Sequence, residues 1–180
     1  ERERCFLKIA FERAKIGQFF IIPNCDSNIL NNELVGDGIL GYEVAGYFIT
    51  HDIYEEWALE KIIESEFLKK ISNQVFFKEI GQSLPVRRCF RNWLSEKLLF
   101  GNSDIKGFIE EIVESKEIES FWKDEILVSV LLSDYSKVFF DLFKDELLSD
   151  EQRLLRRLTF ILRIACKEVD DDFFKQLGIR

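Results

Sequence analysis

Few side chains in this chain could do chemistry. The only histidine, His51, lies in the stretch "GYFITHDIYEEWAL" (46–59), directly before Asp52. Four cysteines, Cys5, Cys25, Cys89 and Cys166, are widely spaced and form no CxxC pair. An imidazole can act as a base, ligate a metal or donate a hydrogen bond to an anion near neutral pH. A Ser-His-Asp or Cys-His arrangement would have to use His51 itself, and nothing near it reads as a nucleophile elbow. One histidine and scattered carboxylates do not make a zinc ligand set, and the cysteine spacing argues against both zinc and a disulfide scaffold, so buried thiols are expected. The run "GDGILG" (36–41) lacks the lysine and the hydroxyl residue of a GxxxxGK[ST] phosphate loop. No catalytic residue and no metal site are therefore expected, and the chain alone should not be an enzyme.

The remaining polar and aromatic features have bland readings. In "RRCFRNW" (87–93), Arg87 and Arg91 share a helical face with Arg88 beside them, and a solvated or ion-paired face is expected. The acidic run "EVDDDFF" (168–174) reads as a solvated helix end. Trp57, Trp93 and Trp122 fall on apolar helical faces, where packing is the default, and 18 phenylalanines imply bulky contacts between helices.

Composition narrows the class further. The 180 residues are 47% hydrophobic and 32% charged, which suits a globular chain of one or two domains. A net charge of −8 repels phosphate backbones, and no basic patch offsets it, so nucleic acid is not an expected partner. No uninterrupted apolar run reaches the length of a membrane span and the first residues are charged, so no membrane association and a cytoplasmic location are expected. There is no methionine even at position 1, which leads us to expect a piece of a longer chain.

The elements that must position His51 can be read from periodicity. Residues 3–16 have helical spacing with Gly17 as a stop, and "FFII" (19–22) is a short strand or a packed connector. Asp26 or Ser27 caps a short helix that Gly36 ends. The runs "ILGYEV" and "YFIT", separated by Ala45-Gly46, predict a hairpin. Asp52 is the expected N-cap of the next helix, with Glu55 three residues on completing a capping box, and this helix should run to about Lys69. Further helices are predicted over Asn73–Ile80, after Ser83 as far as Gly101, and in four segments beyond. "KDEIL" at 123 and "KDELL" at 144 hint at a repeat. The predicted fold is mainly α with a small β-hairpin: a winged-helix-like domain over residues 1–70, then an α-helical bundle or HEAT/TPR-like repeats over 71–180.

A hairpin ending in His-Asp, followed by "IYEEWALEKII", resembles the winged-helix region of bacterial STAND-type P-loop ATPases, including defence ATPases. That family carries a Met-His-Asp motif at the same strand-to-helix joint; here it reads Thr50-His51-Asp52, with the methionine replaced. The resemblance covers roughly residues 1–100. It implies that His51 contacts a phosphate of ADP held by an upstream nucleotide-binding module of the same chain, that Asp52 caps the helix and orients His51, and that the parent chain uses ADP or ATP with Mg. It further implies protein partners through the helical region, in signal transduction. Two other readings stand beside it: a winged-helix DNA-binding regulator, whose recognition helix would lie near residues 27–34, and a helical protein-interaction adaptor.

Overall fold

Helix α1 (Arg2–Ile16) buries Phe6, Ile9, Ala10 and Ala14 along one face and ends at Gly17, whose φ of 68° is a left-handed conformation that glycine adopts without a Cβ clash. The computed structural model describes residues 1–100, 103–132, 139–141 and 143–165. Those residues are mainly helical with one two-stranded antiparallel hairpin, and the chain divides into two compact units, Glu1–Trp93 and Leu94–Arg180.

After α1 the chain crosses to Ile21, which forms an isolated antiparallel bridge with Tyr47; each residue's amide donates to the other's carbonyl at 2.9 Å. The "FFII" run is thus a single strand-like contact. Asp26 Oδ1 then accepts from the amides of Asn28 (2.8 Å) and Ile29 (3.3 Å), which satisfies donors at the start of a helical segment. That segment, Ile29–Val35, has π rather than α geometry. The segment stops at Gly36 as expected, although Gly36 itself is right-handed; the left-handed residue is Gly38 (φ 71°), after which the Ile39 amide returns to the Leu34 carbonyl at 3.0 Å.

Strands β1 (Leu40–Glu43) and β2 (Gly46–Ile49) pair in the register Leu40 to Ile49 and Glu43 to Gly46, so the tight turn is Val44-Ala45 and not Ala45-Gly46. Gly46 is already a strand residue, and it is required there. Its φ is 129°, and a Cβ would lie 2.6 Å from the Ile21 carbonyl oxygen. Replacing Gly46 with alanine combines backbone strain with displacement of the Ile21 bridge; a loss of about 2 kcal/mol is expected in urea unfolding. Across the hairpin the Phe48 ring lies over Gly41, where a Cβ would collide with it, and Phe48 also stacks on Phe19 with centroids 5.3 Å apart. Leu40, Ile49, Leu34 and Leu30 join Phe6 and Ile9 of α1 in one core.

Helix α2 (Asp52–Leu68) packs Ala58, Leu59 and Ile63 inward. Helix α3 (Asn73–Ile80) starts at Ser72, whose hydroxyl accepts from the Val75 amide at 3.4 Å, and ends at Gly81. Phe76 and Phe77 of α3 then meet Phe90 and Trp93 of α4 (Leu84–Leu99) and Phe67 of α2 in an aromatic cluster with centroid separations of 5.1 to 6.4 Å. Trp93 Nε1 donates to Glu64 Oε2 at 2.6 Å, so this large ring is buried with its one donor satisfied. These contacts lie within the first unit, Glu1–Trp93, which runs past residue 70 to take in α3 and the first part of α4.

In the second unit, α5 (Ser103–Glu114) and α6 (Ser120–Leu132) are followed, among the described residues, by the helices Lys144–Leu148 and Arg153–Ala165. Lys123 Nζ donates to the carbonyls of Val113 (3.1 Å) and Ser115 (2.5 Å), capping the end of α5, and Arg157 holds Asp124 through two hydrogen bonds. "KDEIL" lies within the 13-residue α6, whereas "KDELL" constitutes the whole helix Lys144–Leu148. The two copies do not occupy equivalent places. The "EVDDDFF" run and Cys166 lie outside the described residues.

Candidate functional site

The joint between β2 and α2 is built by Thr50. Its amide donates to the Ile39 carbonyl at 3.2 Å, and its hydroxyl lies 2.6 Å from the Gly38 carbonyl and 3.1 Å from that of Ile39. The residue that follows the strand is thereby clasped to the loop that opens the hairpin. Replacing Thr50 with valine keeps the branched shape but deletes the donor; a loss of about 1 kcal/mol in urea unfolding is expected.

His51 follows in extended conformation (φ −137°, ψ 133°), and its carbonyl accepts from the Tyr54 amide at 3.0 Å. His51 is therefore the N-cap residue, and this corrects the expectation for Asp52. Asp52 is the first helical residue, and no side chain makes a cap hydrogen bond at this helix start. The chain leaves the ladder at Thr50, so the extended boundary residue is the next one, one position earlier than composition indicates. Asp52 accordingly does not orient His51 through a cap. Its carboxylate is in the first turn, where the positive end of the helix favours it. The capping box fails for a second reason: Glu55 is buried and turns to Arg13 of α1, with Nη1 to Oε2 at 2.9 Å.

The His51 side chain is exposed. Its ring meets Tyr54 edge-on, with centroids 5.7 Å apart and planes at 72°, and takes no hydrogen-bond partner among the described residues. An imidazole on a fixed backbone with both nitrogens uncommitted can donate to an anion. That fits one contact to a phosphate oxygen.

The other sequence candidates are accounted for in different ways. Cys5 and Cys89 are buried thiols, each pushed up to about 12, chiefly by burial. Cys25 is half-buried and reduced. Arg88 pairs with Glu56 at 2.5 Å on the surface between α4 and α2. Trp93 and Trp122 are packed, but Trp57 is 44% exposed, with Phe6 against one side and Lys61 Nζ 4.5 Å from its ring centroid. No group of three or more His, Cys, Asp or Glu among the described residues is arranged to hold a metal ion. No helix among them is long and apolar enough to cross a membrane.

Sequence reasoning placed Thr50 in the motif and Ile21 in the "FFII" run but foresaw the partners of neither, and it missed the role of Arg13. Only Thr50 carried a local signal, a hydroxyl at the end of a predicted strand; the other two act through contacts distant in sequence. In comparisons with known proteins, no family model and no curated protein matches this chain.

Proposed function

We propose that this chain is a non-catalytic regulatory segment of a STAND-type ATPase. Its winged-helix-like portion is the latch that holds the ADP-bound resting state, and its later helices begin a sensor or scaffold for protein partners. The reading places it in the cytoplasm, in bacterial defence or related signalling. One observation carries it: His51 presents an exposed, uncommitted imidazole from a joint immobilised by the Thr50 clasp and steadied by the Ile21 to Tyr47 bridge. A donor on so constrained a backbone loses little entropy on meeting a phosphate. The nucleotide, with its Mg, would be held mainly by an upstream module of the same chain, and His51 would add one contact. Such a contact biases a two-state switch only if it exists in the closed arrangement and not in the open one.

The test is the encoded protein. Codons upstream of Glu1 should specify a glycine-rich phosphate loop, and the full-length protein should purify with ADP that His51→Ala no longer retains. An open reading frame without such a loop overturns the reading. The DNA-binding alternative is disfavoured because residues 26–36, which include the π-helical segment, contain no Lys or Arg. Titration with duplex DNA at low salt should show no salt-sensitive binding; binding that weakens steeply with salt would favour the regulator.

A further inference from the structure

Two cysteines far apart in sequence meet at the foot of α1. The Cys25 thiol lies 3.9 Å from the Cys5 carbonyl oxygen, and Cys25 packs against the cluster in which Cys5 is buried. Burial pushes the Cys5 thiol up, and the neighbouring Cys25 thiol adds to this. The segment around Cys25 is tied on both sides: Lys8, one turn beyond Cys5 on α1, donates to the Asn24 carbonyl at 3.4 Å, and Asp26 accepts from the amides of Asn28 and Ile29. The Cys25 side chain is thus held against α1 beside Cys5 by the backbone on either side of it.

We infer that Cys5 and Cys25 form a reversible disulfide under oxidation by hydrogen peroxide, fastening the segment between them to α1. The half-buried Cys25 is the thiol an oxidant reaches. Its sulfur attacks the peroxide, an S–O bond forms as the O–O bond breaks, and the displaced oxygen leaves as water with the Cys25 proton. The Cys5 sulfur then attacks the resulting sulfenic acid; the S–S bond forms, the S–O bond breaks, and the Cys5 proton departs with that oxygen as a second water. Two thiols are oxidised by two electrons and one peroxide is reduced to two waters. Because Cys5 is buried and its thiol is raised to about 12, the second step should be the slower. The bond would close a loop that contains Ile21, the residue bridged to Tyr47, and so would stiffen the hairpin that leads to His51.

The experiment treats the purified chain with hydrogen peroxide, alkylates the remaining thiols and maps the peptides by mass spectrometry. The expected result is a peptide pair joining Cys5 to Cys25, removed by dithiothreitol, with Cys89 still alkylated after unfolding and a melting temperature raised by oxidation. Cys25→Ser should abolish both the link and the rise. Recovery of Cys5 as an alkylatable thiol while Cys25 proceeds to sulfinic acid overturns the proposal, as does a link from either residue to a different cysteine.

Discussion

Replacing Glu55 with alanine should destabilise the first unit by about 3 to 5 kcal/mol in urea unfolding, because it leaves the Arg13 guanidinium buried without its counter-charge. The two side chains are 14% and 10% exposed and join α1 to α2. Arg13 is poorly served by anything else: its Nε finds no acceptor among the described residues, and its other neighbour is the Phe19 ring, 5.4 Å from the guanidinium carbon. The reverse change, Arg13→Met, should cost less, since a carboxyl can shed its charge by taking a proton and a guanidinium cannot lose one.

This asymmetry has a pH signature. Burial pushes the Glu55 carboxyl above its ordinary 4.5, and Arg13, which favours the charged form, does not fully offset it. A carboxyl with a raised folded value binds its proton more tightly folded than unfolded. Its contribution to stability is complete below the unfolded value and declines as pH rises through the folded one. Removing Arg13 raises that value further, so the penalty of Arg13→Met should grow with pH, while that of Glu55→Ala, which removes the titrating group itself, should shrink as pH rises. Equal penalties at every pH would mean that the contact is a solvated surface pair. Combining Arg13→Met with Glu55→Leu, which replaces both charges by apolar groups of similar volume, should recover most of the loss.

The second large effect is expected at Phe90. Phe90 is fully buried and touches Phe77, Trp93 and Phe76 at centroid separations of 5.7, 5.8 and 6.4 Å. Its replacement by alanine removes both the transfer term and the edge and tilted ring contacts, in a cluster whose large, stiff members cannot collapse into the space. A loss of about 3 to 5 kcal/mol is expected, against about 0.5 kcal/mol or less for Phe100→Ala, where the ring is 79% exposed. A result for Phe90 as small as that for Phe100 would place the cluster outside the cooperative core.

What was legible in the sequence was periodic or local. The 3.6-residue spacing of Phe6, Ile9 and Ala10 located α1, Gly17 and Gly81 marked stops whose positive φ favours glycine, and alternating runs on either side of a short turn located the hairpin. What failed did so where a distant partner decides the outcome. Gly46 reads as a turn residue until Ile21 is seen to press its backbone against it. Glu55 has capping-box spacing, but the Arg13 charge across the core outcompetes a backbone amide at the helix start. Trp57 lies on an apolar stripe of α2, yet the stripe is wider than the surface available to cover it, and the ring remains at the rim beneath Lys61. At the candidate site the placement of His51 between a strand and a helix was readable, but the exposure of its ring was not. The Thr50 clasp that makes the position rigid depends on Gly38 and Ile39 and was not.

The most direct measurement is the rate at which ADP leaves the full-length protein, with and without the imidazole. A hydrogen bond to a charged phosphate is worth about 1.5 to 3 kcal/mol, so His51→Ala should speed ADP dissociation by about 10-fold to 100-fold. Asp52→Asn should change it far less, because Asp52 is a first-turn helix residue and makes no cap to the ring. An ADP dissociation rate that is the same in His51→Ala as in the unaltered protein would contradict the latch.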